Sequence, residues 1–385
     1  MQIVVTGGAG FIGSAVVDLL AAEGHTVRVL DSLLPDAHEG KPSYLNEAAD
    51  YVIAGLDDLP ALREMVAGAD AVSHQAARVG LGLDLADITA YTADNAYGTA
   101  ALLRALGDTG FAGRLVLASS MVVYGEGHYA CPAHGPVRPG PRTPADLDAG
   151  QFEPRCRCGR PLEPRTVTED APLDPRSIYA ASKVHQEHLC QVSGFPVTAL
   201  RYHNVYGPRM PRDTPYAGVA SIFRSAYEAG RAPLVFEDGR QLRDFVHVDD
   251  VARANVIALT ADQPFSGAFN IASGKPRTVL DLATALHAAY SPGTPAPEVT
   301  GRWRAGDVRH VFASPDKAAR ELGFRAAVAF DEGIRAFAHA PMRHPPAAGR
   351  GKAQLSSVSG GKLRSRGEAA ELSRRFPSHA EESCS

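Results

Sequence analysis

Thr6-Gly7-Gly8-Ala9-Gly10-Phe11-Ile12-Gly13 follows a short apolar run, 2–6 (QIVVT), and opens a helical pattern at 12–22. Glycine in such a turn lets the backbone bend tightly and approach a pyrophosphate with no β-carbon in the way. The helix behind it offers unpaired N–H groups and a partial positive charge to phosphate oxygens. Gly13 permits close packing of helix on strand. A second apolar run, 26–31 (TVRVLD), ends in Asp31, whose carboxylate accepts from an adenosine ribose and repels a 2′-phosphate. A glycine turn alone is weak, and Asp31 alone reads as a solvated strand end. Strand, glycine turn, helix and acidic strand end in this order predict a dinucleotide site that prefers NAD to NADP.

Runs 70–74 (DAVSH) and 114–119 (RLVLAS) read as further buried strands, with helical patterns at 58–68 and 92–107 between them. Strand–helix alternation means crossover connections, hence an α/β fold: a Rossmann-type doubly wound parallel sheet. A helix at 178–192 and a strand at 196–201 continue it. Helices at 218–229, 249–261, 279–289 and 315–322, mixed with short strands, predict a smaller C-terminal substrate lobe. The expected organisation is an NAD-binding domain over 1–126, a Cys/Pro/Gly-rich insertion over 127–176, and the rest of the sheet domain plus the substrate lobe over 177–340. Residues 341–385 are Ser-, Gly-, Arg- and Pro-rich, with too few large apolar side chains to offset ordering entropy, so a disordered tail is expected.

The 385 residues exceed the usual size of one core, and 45% of them are hydrophobic. A formal charge of −4 gives no footprint for nucleic acid. No apolar run is long enough to cross a bilayer, and the strand-like Met1-Gln2-Ile3-Val4-Val5 leaves no room for a secretory leader. Five cysteines do not suggest a secreted disulfide framework, so a cytoplasmic location is expected.

Tyr179-Ala180-Ala181-Ser182-Lys183 places Tyr179 and Lys183 four residues apart, on one face of a helix. An ammonium beside a phenol favours the phenolate and is expected to lower its pKa. Ser120, at the end of the run 114–119, adds a hydroxyl at the sheet edge where ligands bind in such folds.

With these motifs the sequence resembles the extended short-chain dehydrogenase/reductase superfamily, in its NAD-dependent sugar-nucleotide epimerase/dehydratase branch. The resemblance spans roughly residues 1–338 through an ordered series: TGGAGFIG at 6–13, HQAA at 74–77, NAYGT at 95–99, SSMVVYG at 119–125, YAASK at 179–183, RYHNVYGP at 201–208, RDFVHVDDVA at 243–252 and RAGDVRH at 304–310. It implies that Ser120, Tyr179 and Lys183 are catalytic. It implies that Gly7, Gly10, Phe11, Ile12, Gly13, Asp31, Asp57, Ala76, Asn95, Tyr179 and Lys183 meet NAD. It also implies that Asn204, Arg243, Arg304 and Asp307, with Ser120 and Tyr179, meet a sugar nucleotide. Without the resemblance, Arg304 and Asp307 read as a surface ion pair.

Three positions depart from the family pattern. Gly55 is followed by Leu56 rather than an acidic residue, leaving the adenine contact to Asp57. Met121 and Val122 stand where 4,6-dehydratases carry an Asp–Glu pair, and neither transfers protons, so dehydration is disfavoured. His203 replaces the usual Phe and is expected to be packed and neutral.

From Ser120 to Tyr179 the spacing is 59 residues, longer than the family needs. The excess holds Cys131-Pro132-Ala133-His134-Gly135 and Cys156-Arg157-Cys158-Gly159. Cys131, His134, Cys156 and Cys158 admit a tetrahedral structural zinc site; the single residue between Cys156 and Cys158 is tight for one, and a mobile loop with unpaired thiols is the alternative. The CPxHG start resembles that of bacterial epimerases acting on dTDP-6-deoxyhexoses, dTDP-L-rhamnose among them.

The expected reaction is inversion at C4 of the sugar through a 4-keto intermediate, with tightly retained NAD. UDP-glucose is the alternative substrate. A sugar-nucleotide 4-ketoreductase using the same triad is the nearest rival, and a non-enzymatic NAD-sensing or scaffold protein is the rival of another class. The resemblance further implies a homodimer through helices at 92–107 and 178–192. Cys190 on the second helix reads as a buried apolar residue, and Cys384 has no assigned role.

Overall fold

A computed structural model describes residues 1–343 except Asp36, Glu39, Leu81, Leu83 and 213–217. The expected tail therefore lies, from residue 344 onward, outside the described residues, and Cys384 with it.

Alternation sets the first layer. In β1 (Gln2–Thr6), Ile3 and Val5 face one side and Val4 the other, and all three are fully buried. The other sheet strands are β2 (Thr26–Asp31), β3 (Asp50–Ile53), β4 (Ala71–His74), β5 (Arg114–Ser120), β6 (Val197–Tyr202) and β7 (Gly267–Ile271). All pair in parallel, in the order β3-β2-β1-β4-β5-β6-β7. The order reverses between β1 and β4, which opens a crevice at the carboxyl ends of those strands.

Each face is covered by helices. Ile3 and Val5 pack with Val16 and Leu20 of α1 (Phe11–Ala22) and with Val251 and Leu259 of the helix Val248–Thr260. Val4 packs with Leu62 of the helix Leu59–Val66, with Leu102 and Leu106 of Gly98–Asp108, and with Cys190. Cys190 is thus the buried apolar residue expected. Each fully buried Val or Leu contributes about 1.5–3 kcal/mol, so this two-sided core is the main stabilising term.

The predicted helix at 92–107 is built in three pieces: Ile88–Tyr91, a π-helical segment Thr92–Tyr97, and Gly98–Asp108. Such bulges re-aim side chains, and this one carries the buried Asn95. The helix expected at 315–322 is a π-helical turn over Ala318–Leu322, closed by Gly323 at φ 68°.

The C-terminal part forms a third cluster, in which Phe223 and Tyr227 of Val219–Glu228, Leu282 and Leu286 of Val279–Tyr290, and Ile334 and Phe337 of Phe330–His339 surround Tyr206. The insertion stays out of the parallel sheet, yet it is more regular than a loop. Strands His128–Cys131, Gly135–Val137 and Glu163–Arg165 make a small antiparallel sheet, followed along the chain by a helical turn Pro144–Asp148 after the second strand. Strands this short carry too few residues for alternation to show in the sequence.

Candidate active site

The glycine turn is held from behind by β4. Gly7 has φ 69°, and a β-carbon there would lie 2.6 Å from the Ala76 amide nitrogen, so only glycine fits. A β-carbon at Gly13 would strike the Gly7 carbonyl. Helix α1 starts at Gly10 with no side-chain cap and no acidic residue in its first turn. Its first N–H groups, including those of Phe11 and Ile12, are therefore left for a ligand's oxygens. Asp31 is 8% exposed, and its carboxylate accepts from the Ala9 and Leu33 amides, both at 2.9 Å. Those two bonds fix it beneath the turn, and a carboxylate has acceptor sites left for ribose hydroxyls. The residues present thus fit a dinucleotide.

Asp57 folds its carboxylate back over Gly55, while Asp58 caps the next helix by accepting from Ala61 N at 3.0 Å. Asn95 accepts from Arg78 N at 2.7 Å and donates to Arg78 O at 3.0 Å and to Ser182 Oγ at 2.8 Å. Its amide is engaged by the protein, so it ties the loop after β4 to the helix Ile178–Val192.

That helix carries Tyr179 and Lys183, and Ser177 caps it by accepting from Ala180 N at 3.1 Å. The Lys183 ammonium lies 5.8 Å from the Tyr179 ring centroid and donates to the Ala118 carbonyl at 2.8 Å. Ser120 ends β5 two residues on and accepts from Val122 N at 3.3 Å. The expectation of a lowered phenol pKa is corrected here. Burial pushes the Tyr179 phenol above its ordinary value, and the neighbouring Ser120 hydroxyl opposes it only in part. Burial also lowers the Lys183 ammonium to about 8, against an upward pull from Glu187. Spacing made the two residues neighbours, but burial sets the shift of each.

Behind the pair run two buried networks whose pairings the sequence did not show, although Thr6, His74, Thr99, Ser119 and Arg201 fall within its motifs. Thr6 Oγ1 meets His74 Nδ1 at 2.7 Å, His74 Nε2 meets Thr99 Oγ1 at 2.9 Å, and Gln186 donates to the same hydroxyl at 2.7 Å. Burial, with a smaller effect of Lys183, lowers His74 to about 3, so it is neutral. On the other side Arg201 grips Glu187 through two bonds, at 2.9 and 2.7 Å, and Ser119 also bonds Glu187.

The expected substrate residues lie on the C-terminal lobe. Asn204 leaves its buried Oδ1 without a hydrogen-bond partner. Arg243 is aimed elsewhere: its guanidinium donates to the carbonyls of Leu242, Val308 and Arg309 at 2.7–2.8 Å. Arg304 pairs with Asp307 at 3.1 Å near the surface. His203 is buried, and burial lowers it to about 3 against a smaller upward pull from the Asn270 side chain, in accord with a packed neutral ring.

The insertion brings its four expected ligands together. The donor atoms of Cys131, His134, Cys156 and Cys158 all lie within 4.8 Å of one another.

The description "NAD dependent epimerase/dehydratase family" matches residues 3–145 and 156–272. A dTDP-L-rhamnose 4-epimerase of Burkholderia thailandensis is 35% identical over 343 residues, covering 86% of this chain and 93% of its own. A putative UDP-glucose 4-epimerase of Methanocaldococcus jannaschii is 31% identical, over 87% of this chain and 96% of its own. Among solved structures, the NAD complex of a Thermus thermophilus UDP-glucose 4-epimerase has a TM-score of 0.69 at 31% identity, covering 88% of this chain and 98% of that one. The chain belongs to the NAD dependent epimerase/dehydratase family, as an isomerase of its sugar-nucleotide epimerase branch.

Proposed function

We propose that the protein inverts C4 of a dTDP-6-deoxyhexose, with dTDP-L-rhamnose as substrate, through the triad Ser120, Tyr179 and Lys183. The observation that carries this is the placement of Tyr179 and Lys183 on one helix, with the Lys183 ammonium bonded to the end of the strand that presents Ser120. In this reading Tyr179 takes the proton from the sugar 4-hydroxyl as C4 is oxidised and returns it after the 4-keto sugar has turned over. Ser120 positions the sugar oxygen. Lys183 supplies the positive charge that the buried phenol needs to ionise. NAD, when bound by the Gly7–Gly13 turn, Asp31, Asp57, Ala76, the Asn95-braced loop, Tyr179 and Lys183, supplies a reversible two-electron acceptor for C4. Met121 and Val122 beside Ser120 carry no transferable proton, which disfavours loss of water. Asn204, Arg304 and Asp307 are assigned to the diphosphate and nucleoside, with Arg243 bracing the loop that carries the latter two through the carbonyls of Val308 and Arg309.

The dTDP-sugar is preferred to UDP-glucose because the relative from Burkholderia thailandensis is the more similar of the two described. The proposed holoenzyme carries NAD in the cleft and a structural zinc ion in the insertion. It is a cytoplasmic homodimer joined through the helices around Gly98–Asp108 and Ile178–Val192, whose outer faces expose Tyr97 and Val192. No helix among the described residues is long and apolar enough to cross a membrane.

The test is incubation of the purified protein, without added NAD, with dTDP-L-rhamnose and separately with UDP-glucose, followed by NMR of the products. A C4 epimer of the dTDP sugar is the expected result. An epimer of UDP-glucose alone overturns the choice of nucleotide, and no epimer from either, with net oxidation of NADH or NADPH when it is supplied with a 4-keto sugar nucleotide, overturns epimerisation in favour of a ketoreductase.

A further inference from the structure

Two tight turns close the insertion, and they are built alike. In the first, His134 N donates to Cys131 O at 3.1 Å and Gly135 follows at φ 71°. In the second, Gly159 N donates to Cys156 O at 2.8 Å and is itself at φ 81°. In each, an amide two residues on, of Ala133 or Cys158, bonds back to the leading sulfur. Backbone N–H groups aimed at a sulfur fix its orientation, as the outer partners of a metal ligand do.

The separations fit one ion. Zinc bonds of about 2.3 Å to sulfur and about 2.0 Å to nitrogen, arranged tetrahedrally, place sulfurs about 3.8 Å apart and sulfur about 3.5 Å from nitrogen. Cys131 Sγ lies 3.8 Å from Cys158 Sγ and 3.6 Å from His134 Nδ1, and His134 Nδ1 lies 3.2 Å from Cys156 Sγ. Four protein ligands close the coordination shell, which marks a structural rather than a catalytic site. The need for a staple is plain: the apolar core here is Tyr129, Cys131, Cys156 and Leu162, with Val137 against them.

These turns also hold the loop 303–310, which carries Arg304 and Asp307. Tyr129, two residues before Cys131, accepts from His310 N at 3.1 Å. Glu153, three before Cys156, accepts from Arg309 at 2.6 and 3.0 Å and meets His310 Nε2 at 2.9 Å. Arg309 is fully buried and also pairs with Glu237 and Asp238, so Glu153 ties the insertion to a side chain that the C-terminal lobe already holds. Arg142 adds a bond to Asp307 O at 2.6 Å, and Trp303 one to Asp148 at 3.0 Å.

We propose that Cys131, His134, Cys156 and Cys158 bind one structural zinc ion, and that this ion sets the position of the loop 303–310 through Tyr129 and Glu153. The second half rests on the assignment of Arg304 and Asp307 to the nucleotide. Zinc is then a determinant of substrate affinity while taking no part in the chemistry.

The experiment is elemental analysis of the full-length protein purified without chelator, followed by hydrogen-exchange mass spectrometry of the segment 303–311 before and after the metal is stripped. About one zinc per chain is expected, together with a protected His310 amide that exchanges at least tenfold faster once it is removed and recovers on re-addition. Cys158→Ser, at an exposed ligand, should reproduce the loss, retain NAD and weaken dTDP binding in calorimetry about tenfold. Absence of zinc, iron in its place, or a Cys131–Cys158 disulfide overturns the metal site. Bound zinc with unchanged exchange on stripping overturns the coupling. Faster exchange in a protein that binds neither dTDP nor UDP upholds the metal and the coupling, and contradicts instead the nucleotide assignment.

Discussion

Lys183 Nζ donates to the carbonyl of Ala118 at 2.8 Å, so the ammonium is anchored to the strand end that presents Ser120 two residues later. The same side chain lies 5.8 Å from the Tyr179 ring centroid. One cation thus joins the helix bearing the phenol to the sheet bearing the hydroxyl.

This anchoring predicts an alkaline limit on turnover. Burial has lowered Lys183 to about 8, so its charge is complete below that pH and is lost as pH rises through it. The phenol, raised by burial, then loses the cation that favours its ionised form. kcat/KM should fall above about pH 8. Lys183→Arg, whose charge persists, should be slower but lack that limb, whereas Tyr179→Phe should lose on the order of 10³-fold at every pH and still retain NAD. A Lys183→Arg profile that keeps the same limb would assign it to another group.

The proposed NAD site makes Asp31 the residue expected to set the choice of cofactor. Its two bonds to backbone amides hold a negative charge beneath the glycine turn. Asp31→Ser should reduce retained NAD and narrow the discrimination against NADP by about tenfold, as a charge facing a 2′-phosphate is removed. Cofactor release followed by competitive rebinding of NAD and NADP measures both. Unchanged discrimination would place the ribose elsewhere.

The glycine turn and Asp31 were legible in the sequence because backbone geometry leaves little freedom there: at Gly7 a positive φ and the nearby Ala76 amide exclude every other residue. The Tyr179–Lys183 pair was legible as a spacing, but its electrostatics were not, because desolvation depends on what the fold stacks around it. β3 is four residues long at the sheet edge, three of them exposed and Tyr51 half-buried, so the short apolar stretch Tyr51-Val52-Ile53-Ala54 does not read as one of the buried strands. Arg309 and Glu153 are 156 positions apart, and no periodicity connects them. The insertion's cysteines were visible, whereas the short strands that align them were not.

His203 is a removable liability. It is buried and neutral with neither ring nitrogen in a well-formed hydrogen bond and only the Asn270 side chain nearby, and its folded-state pKa is depressed from 6.5 to about 3. Its contribution to stability is therefore complete above pH 6.5 and is lost as pH falls from there toward 3, because the unfolded chain takes up the proton. His74 adds to the same acid-side loss. His203→Phe should raise stability by about 1–2 kcal/mol near neutral pH and widen that gain near about pH 5. Urea unfolding at the two pH values reads both; a lower midpoint at either would show that the ring nitrogens have a partner.

The central claim is that C4 is oxidised and reduced again within one closed cycle. The most direct measurement uses dTDP-L-rhamnose carrying deuterium at C4, incubated with the purified protein in ordinary water without added NAD. The account predicts a C4 epimer by NMR with its deuterium still at C4. Deuterium lost to solvent, or a 4-keto sugar that accumulates without inversion, would contradict it.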